Sequence, residues 1–208
     1  MEQCRKIFPV RESGNLLPYY SCIHGFGHGL LSWEGLDRGK ALEDCDQLDR
    51  QERQYCYDGV FMEYSFSAPL SSFSKTEPWK ICTDLDEKYH GNCARYQPTV
   101  FVEKFHVDIP TSARICLEAP TETLQGFCID AVGFALAHTF QNNIDAIRHT
   151  CENISLATYH FRCITAAAGE LIFQQYKGWE ENSLELCNTL KEPWQKQCQV
   201  RNQGIRGE

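Results

Sequence analysis

Two kinds of segment alternate along the chain, and both place their apolar residues at the spacing of amphipathic helices. The longer and more apolar kind starts at a cysteine, as in CIDAVGFALAHTF from Cys128. The shorter and more polar kind ends near a cysteine, as in DAIRHTC up to Cys151. Turn-like or polar stretches such as DRQER and PTETLQG lie between them. The pattern predicts an all-α protein built from helical hairpins, each with a short helix A, a turn and a longer helix B.

The twelve cysteines recur with a regular period. After Cys4 and Cys22 they fall into five pairs whose members are 11 or 12 residues apart, and the second members, counted from Cys22, advance by 34 to 37 residues. Periods of this length are typical of repeat proteins. We therefore expect one domain over residues 1–208, an α/α solenoid of about six disulfide-stapled hairpins in a right-handed array. The approximate repeats are 1–36, 37–70, 71–107, 108–142, 143–178 and 179–200.

The even cysteine count and fixed spacing indicate a disulfide framework, which is typical of an oxidising compartment. Pairing within each hairpin gives Cys4–Cys22, Cys45–Cys56, Cys82–Cys93, Cys116–Cys128, Cys151–Cys163 and Cys187–Cys198. Eleven residues of helix make about three turns, so both cysteines of a pair could instead share one long helix and bond to a neighbouring helix. Pro120 and the Asp- and Gly-rich inserts favour the turn. Buried free thiols are a further alternative.

Charge and hydropathy exclude two classes of protein. Lys and Arg number 20 against 28 Asp and Glu, giving a net charge of −8, and no basic cluster stands out, so we expect no nucleic-acid partner. No apolar run approaches the ~20 residues of a membrane span. The N-terminus has no apolar signal core. We therefore expect a mature or trimmed form of a secreted, extracellular or periplasmic protein.

The segment ALEDCDQLDRQERQYCYDGVFMEY, residues 41–64, resembles the disulfide-bridged Sel1-like repeats of bacterial secreted cysteine-rich proteins, which are related to TPR repeats. In that family a Gly stands three residues after the second Cys, as Gly25 and Gly59 do here, whereas Tyr96 departs from the pattern. The likeness extends loosely over residues 37–200. It implies an α/α solenoid with a binding role, for a protein, peptide or small-molecule ligand.

One segment, CIHGFGHGL, carries candidate chemistry. His24 and His28 are four residues apart, so in a helix they share a face, the spacing at which two imidazoles hold one metal ion. Copper or zinc is the metal that imidazole ligands favour. The alternatives are a tightly packed helix whose histidines bond carbonyl groups, and a catalytic histidine without metal. Cys22, Phe26 and Trp33 are expected on the opposite face, against helix A.

Two histidines do not complete a metal site, and the nearest plausible further ligands are carboxylates. We expect these from Glu34, Asp58 and Glu63, the last two on the helix B of the second repeat. The sequence thus predicts a binding module of unknown ligand, or alternatively a metalloprotein or metal-dependent enzyme that uses the His24 and His28 pair. In addition, Asn153-Ile-Ser is a glycosylation sequon, predicted to lie in a turn just after Cys151.

Overall fold

The chain is helical throughout the part that the structure describes, which confirms the all-α prediction. The computed structural model describes residues 2–8 and 17–206, and these contain no β-strand. None of the helices among them is long and apolar enough to cross a membrane. The α-helices are α1 Glu2–Ile7, α2 Leu17–Trp33, α3 Arg38–Cys45, α4 Arg50–Ser67, α5 Lys80–Thr83, α6 His90–Thr99, α7 Ile109–Leu117, α8 Glu122–Phe140, α9 Ile144–Glu152, α10 Ala157–Gln174, α11 Trp179–Asn188 and α12 Trp194–Arg206. A π-helical segment, Val100–Lys104, follows α6, and 3-10 turns lie at Leu70–Ser72 and Glu87–Tyr89.

Each long helix begins earlier than the sequence pattern suggests. Most of DRQER lies inside α4, because Asp49 and Glu52 form a capping box that satisfies backbone N–H groups at the start of this helix. Thr121 caps α8 in a comparable way by accepting from the backbone N–H of Leu124. As a result Cys56 lies about two turns inside α4, rather than at its start.

Six disulfides join each cysteine to its neighbour in sequence, and they are the six pairs that the spacing predicts. Their Cα atoms are 5.4–5.8 Å apart, and the bridges close separations of 11, 12 or 18 residues. In the chain-entropy model, loops of this length contribute about 3 kcal/mol each. Six bridges in a chain of this size are typical of proteins from oxidising, extracellular compartments.

The contacts divide the chain into two compact units, Met1–Tyr96 and Gln97–Glu208. The solenoid arrangement, its handedness, its 35-residue period and the repeat boundaries stay predictions.

In the first unit, α2 and α4 cross at unusually short distance, and two glycines make this possible. A Cβ added at Gly27 would overlap the carbonyl oxygen of Cys56, and one added at Gly59 would overlap the carbonyl oxygen of His24. The buried stripe of α2 is Ile23, Gly27 and Leu31, at helical spacing. Gly27 and Gly59 are therefore the points at which the two backbones come closest.

Phe26 and Trp33 do not pack against helix A as the sequence suggests. Phe26 is 37% exposed and Trp33 is 84% exposed. The reason is that the buried face of α2 is the one that carries Ile23, Gly27 and Leu31. Phe26 and Trp33 lie on another face of the helix, towards solvent.

In the second unit, α8 and α10 form the central pair. Gly133 of α8 lies against the carbonyl oxygen of Cys163 in α10, as Gly27 lies against that of Cys56 in the first unit. Asp130 of α8 pairs with Arg162 of α10 through two hydrogen bonds. The buried side chains of this pair include Leu124, Ile129, Leu136, Ile164 and Leu171.

Candidate functional site

The two histidines of α2 face each other beside α4. Their Nε2 atoms are 3.0 Å apart, and their ring centroids are 4.8 Å apart with the planes at 65°. Both side chains are half-buried. The tight crossing at Gly27 and Gly59 places this pair directly against the last two turns of α4. The two imidazoles therefore lie next to each other on one face of α2, as their four-residue spacing indicates.

Glu63 of α4 fixes the orientation of one ring. Its Oε2 atom lies 2.9 Å from Nδ1 of His28, and its other oxygen accepts a hydrogen bond from the Ser67 hydroxyl. The hydrogen bond from Ser67 lowers the pKa of Glu63 most, and the one from His28 lowers it further, so that this pKa lies below its ordinary value. Because Nδ1–H of His28 donates to this carboxylate, Nε2 of the same ring carries a lone pair and points at His24.

Met62 of α4 also contacts the pair, and the sequence does not single it out as a partner of His24. Its Sδ atom lies 3.4 Å from Nε2 of His24. The available signal was its position, since Met62 is the second of the only two methionines in the chain and lies four residues after Asp58. Burial first, and then the neighbouring His28, lower the pKa of His24. With the lone pair on Nε2 of His28, the 3.0 Å contact between the rings is a hydrogen bond that the Nε2–H of His24 donates.

The carboxylates do not behave as the sequence suggests. Asp58 is turned towards α6, where it accepts hydrogen bonds from Asn92 Nδ2 at 2.9 Å and Arg95 Nη1 at 3.0 Å. Glu63 reaches His28, but at Nδ1, on the far side of the ring from His24. No described contact brings a Glu34 oxygen to either imidazole; Glu34 lies in the turn after α2.

Within the described residues, no three or more His, Cys, Asp or Glu side chains are grouped so that they could hold a metal ion. A site completed by carboxylates, as the sequence predicts, is therefore not favoured. The physical reason is that Asp58 is neutralised by the cation of Arg95, and Glu63 is occupied in orienting His28.

The other histidines lie in separate surroundings. His90 bonds the carbonyl oxygen of Leu85, and His149 contacts Glu152. His138 bonds Glu170 through Nε2 and the Tyr176 hydroxyl through Nδ1.

The sequon lies where the sequence places it, in the turn that follows α9. Asn153 is exposed, and its side chain donates to the carbonyl oxygen of His149 at 2.9 Å. Its glycosylation stays a prediction.

Comparison with known proteins gives no relative: no family model, no curated protein and no solved structure matches the chain. The site and the disulfide-rich helical fold therefore carry the functional argument alone.

Proposed function

We propose that this chain is a binding protein of an oxidising compartment, and that it binds its ligand at the pair of His24 and His28. The observation that carries the proposal is the contact between the two Nε2 atoms, 3.0 Å apart at a half-buried position. A histidine that serves only the fold ordinarily bonds a backbone carbonyl, as His90 does with Leu85. Here the two Nε2 atoms instead lie within hydrogen-bond distance of each other.

The surroundings of the pair support a role beyond folding. The hairpins are closed by disulfides, and α2 and α4 are held together by the crossing at Gly27 and Gly59 together with buried apolar residues. The contacts of the imidazoles with Glu63 and Met62 are therefore additional to those that already hold these helices together. Gly25 and Gly29 flank the pair on the exposed side, where an added Cβ would meet nothing within 4 Å. Each costs the helix about 1 kcal/mol relative to Ala.

A stability measurement separates a binding site from a structural pair. Binding residues are poorly optimised for folding, so their removal is neutral or stabilising. We expect the variant His24→Ala/His28→Ala to unfold in guanidinium within about 1 kcal/mol of the native protein at pH 7 without reductant.

The matched control is Asp58→Ala in the same unit. It removes the carboxylate that pairs with Arg95 and one of the two acceptors of Asn92, whose other acceptor is the carbonyl oxygen of Gln54. We expect a loss of about 2 kcal/mol. If the histidine variant loses as much stability as this control, the pair is structural and the proposal is wrong.

A further inference from the structure

Three donor atoms lie together beside α4, with Nε2 of His24 in contact with both Nε2 of His28 and Sδ of Met62. We propose that they bind one monovalent copper ion, an inference that rests on the proposed binding role of the histidine pair. The separations are 3.0 Å between the two nitrogens and 3.4 Å between His24 Nε2 and the sulfur. Metal–nitrogen distances are about 2.0–2.1 Å and metal–sulfur distances about 2.3 Å. Both separations are shorter than the sums of these lengths, so one ion can bridge each pair of atoms once the Nε2 proton of His24 has moved to Nδ1 of the same ring.

The types of donor select the ion. A thioether is a soft ligand that favours Cu(I), and imidazole suits copper equally well. Zn²⁺ is ordinarily held by thiolate, imidazole and carboxylate ligands, and the thioether is not among them. The two nearby carboxylates are engaged elsewhere, Asp58 with Arg95 and Glu63 with Nδ1 of His28.

The charge of the site also favours a monovalent ion over a divalent one. With three neutral ligands, a bound monovalent ion leaves one positive charge in a half-buried position, and a divalent ion leaves two. Uncompensated charge away from water is costly, and the cost rises steeply with its size. The Glu63 carboxylate, hydrogen-bonded to the far side of His28, offsets a single charge without touching the ion.

Glu63 is thus a positioning residue. Its bond to Nδ1 keeps the lone pair of His28 Nε2 directed at His24, and Ser67 holds the carboxylate in turn. Carboxylates in this position behind a ligating histidine typically contribute 10–100-fold to metal affinity.

The disulfides restrict the source of sulfur to a thioether. All twelve cysteines are bridged, so no cysteine thiolate competes for the ion. A copper–sulfur bond in the oxidised protein, with a thiol assay showing no free cysteine, would therefore come from one of the two methionines, Met1 or Met62, and its loss in Met62→Leu assigns it to Met62.

The test is an anaerobic titration of the oxidised protein with tetrakis(acetonitrile)copper(I), without thiol reductant, against the chelator bathocuproine disulfonate. We expect one Cu(I) per chain, bound more tightly than Zn²⁺. Met62→Leu, which keeps the side-chain volume, should weaken Cu(I) binding by on the order of tenfold or more and leave Zn²⁺ affinity nearly unchanged. X-ray absorption at the copper edge should show two nitrogen ligands and one sulfur ligand, with the sulfur lost in Met62→Leu.

Two further variants sharpen the result. Glu63→Ala should weaken Cu(I) binding about 10–100-fold while the sulfur ligand stays in the absorption spectrum. His149→Ala, a change at an exposed histidine of the second unit, should leave the titration unchanged.

The outcomes separate the two proposals. A native protein that binds no Cu(I), or a Met62→Leu variant that binds it as well as the native protein does, overturns the copper site. In either case the binding role of the pair stands if His24→Ala/His28→Ala keeps its stability. If that variant unfolds as easily as Asp58→Ala, the binding role itself fails.

Discussion

Replacing Gly59 by alanine would drive α2 and α4 apart at the point where they touch. The added Cβ would overlap the carbonyl oxygen of His24 and lie 3.0 Å from its carbonyl carbon and 3.1 Å from Cα of Gly27. All three atoms belong to the backbone, so no side-chain rotation relieves the overlap. The Cys45–Cys56 bridge, one turn before Gly59, further limits how far α4 can move.

The size of the effect follows from two opposing contributions. Overpacking a rigid interior costs about 1–3 kcal/mol, and a purely backbone overlap belongs at the upper end of that range. Alanine in place of glycine inside a helix returns about 1 kcal/mol. We expect Gly59→Ala to lower the free energy of unfolding by about 2 kcal/mol.

Gly29→Ala is the matched control, because it makes the same chemical change in α2 where nothing lies within 4 Å of the added Cβ. It should raise the free energy of unfolding by about 0.5–1 kcal/mol. The measurement is guanidinium unfolding of both variants with the disulfides intact, followed by far-UV circular dichroism. Equal effects, or a Gly59→Ala variant as stable as the native protein, would refute the argument that close backbone contact sets this crossing.

Two other changes test the electrostatics and the bridges. Asp46 is half-buried, and this partial burial opposes its ionisation, but hydrogen bonds from Lys88, Tyr57 and Tyr89 hold its pKa below the ordinary value. A lowered folded pKa gives stability that is complete above about pH 4–5 and is lost as the pH falls through the folded pKa. Asp46→Asn should therefore lower stability at pH 7 and flatten its decline towards pH 3 in urea titrations; an unchanged acid decline would contradict this. Removing one bridge by Cys151→Ala/Cys163→Ala should lower the free energy of unfolding by about 2–4 kcal/mol. Non-reducing peptide mapping should still find the other five bridges, and any rearranged bond would show that the hairpins do not close independently.

Local features of this chain could be predicted from the sequence, because their causes are local. The helices follow from apolar periodicity, and the six bridges join neighbours in sequence. The pair of His24 and His28 could likewise be placed on one face, since four residues return a helix to nearly the same direction.

The partners of that pair could not be predicted in full, because they depend on the register of α2 against α4, that is, on which turns of the two helices lie side by side. That register is set by the contact of Gly27 and Gly59, which lie 32 residues apart. This register brings Met62 into contact with His24 and leaves Asp58 facing α6, where its carboxylate accepts a hydrogen bond from Arg95. Position within the repeat favoured Asp58 as a ligand, but a cation on a later helix decides where its carboxylate points.

The order of the bridges has a consequence for how such a chain can change in length. The cysteines are paired in order along the chain, the first with the second and the third with the fourth, and so on to the last pair. No bridge therefore encloses another or crosses it. Duplicating or deleting one hairpin in a gene would leave every remaining cysteine with the partner it already has. In a protein whose disulfides interleave along the chain, duplicating or deleting one segment would leave several cysteines without their bonding partners. The covalent plan of this protein is thus one that evolution can extend or shorten a hairpin at a time, while the histidine pair near one end is left intact.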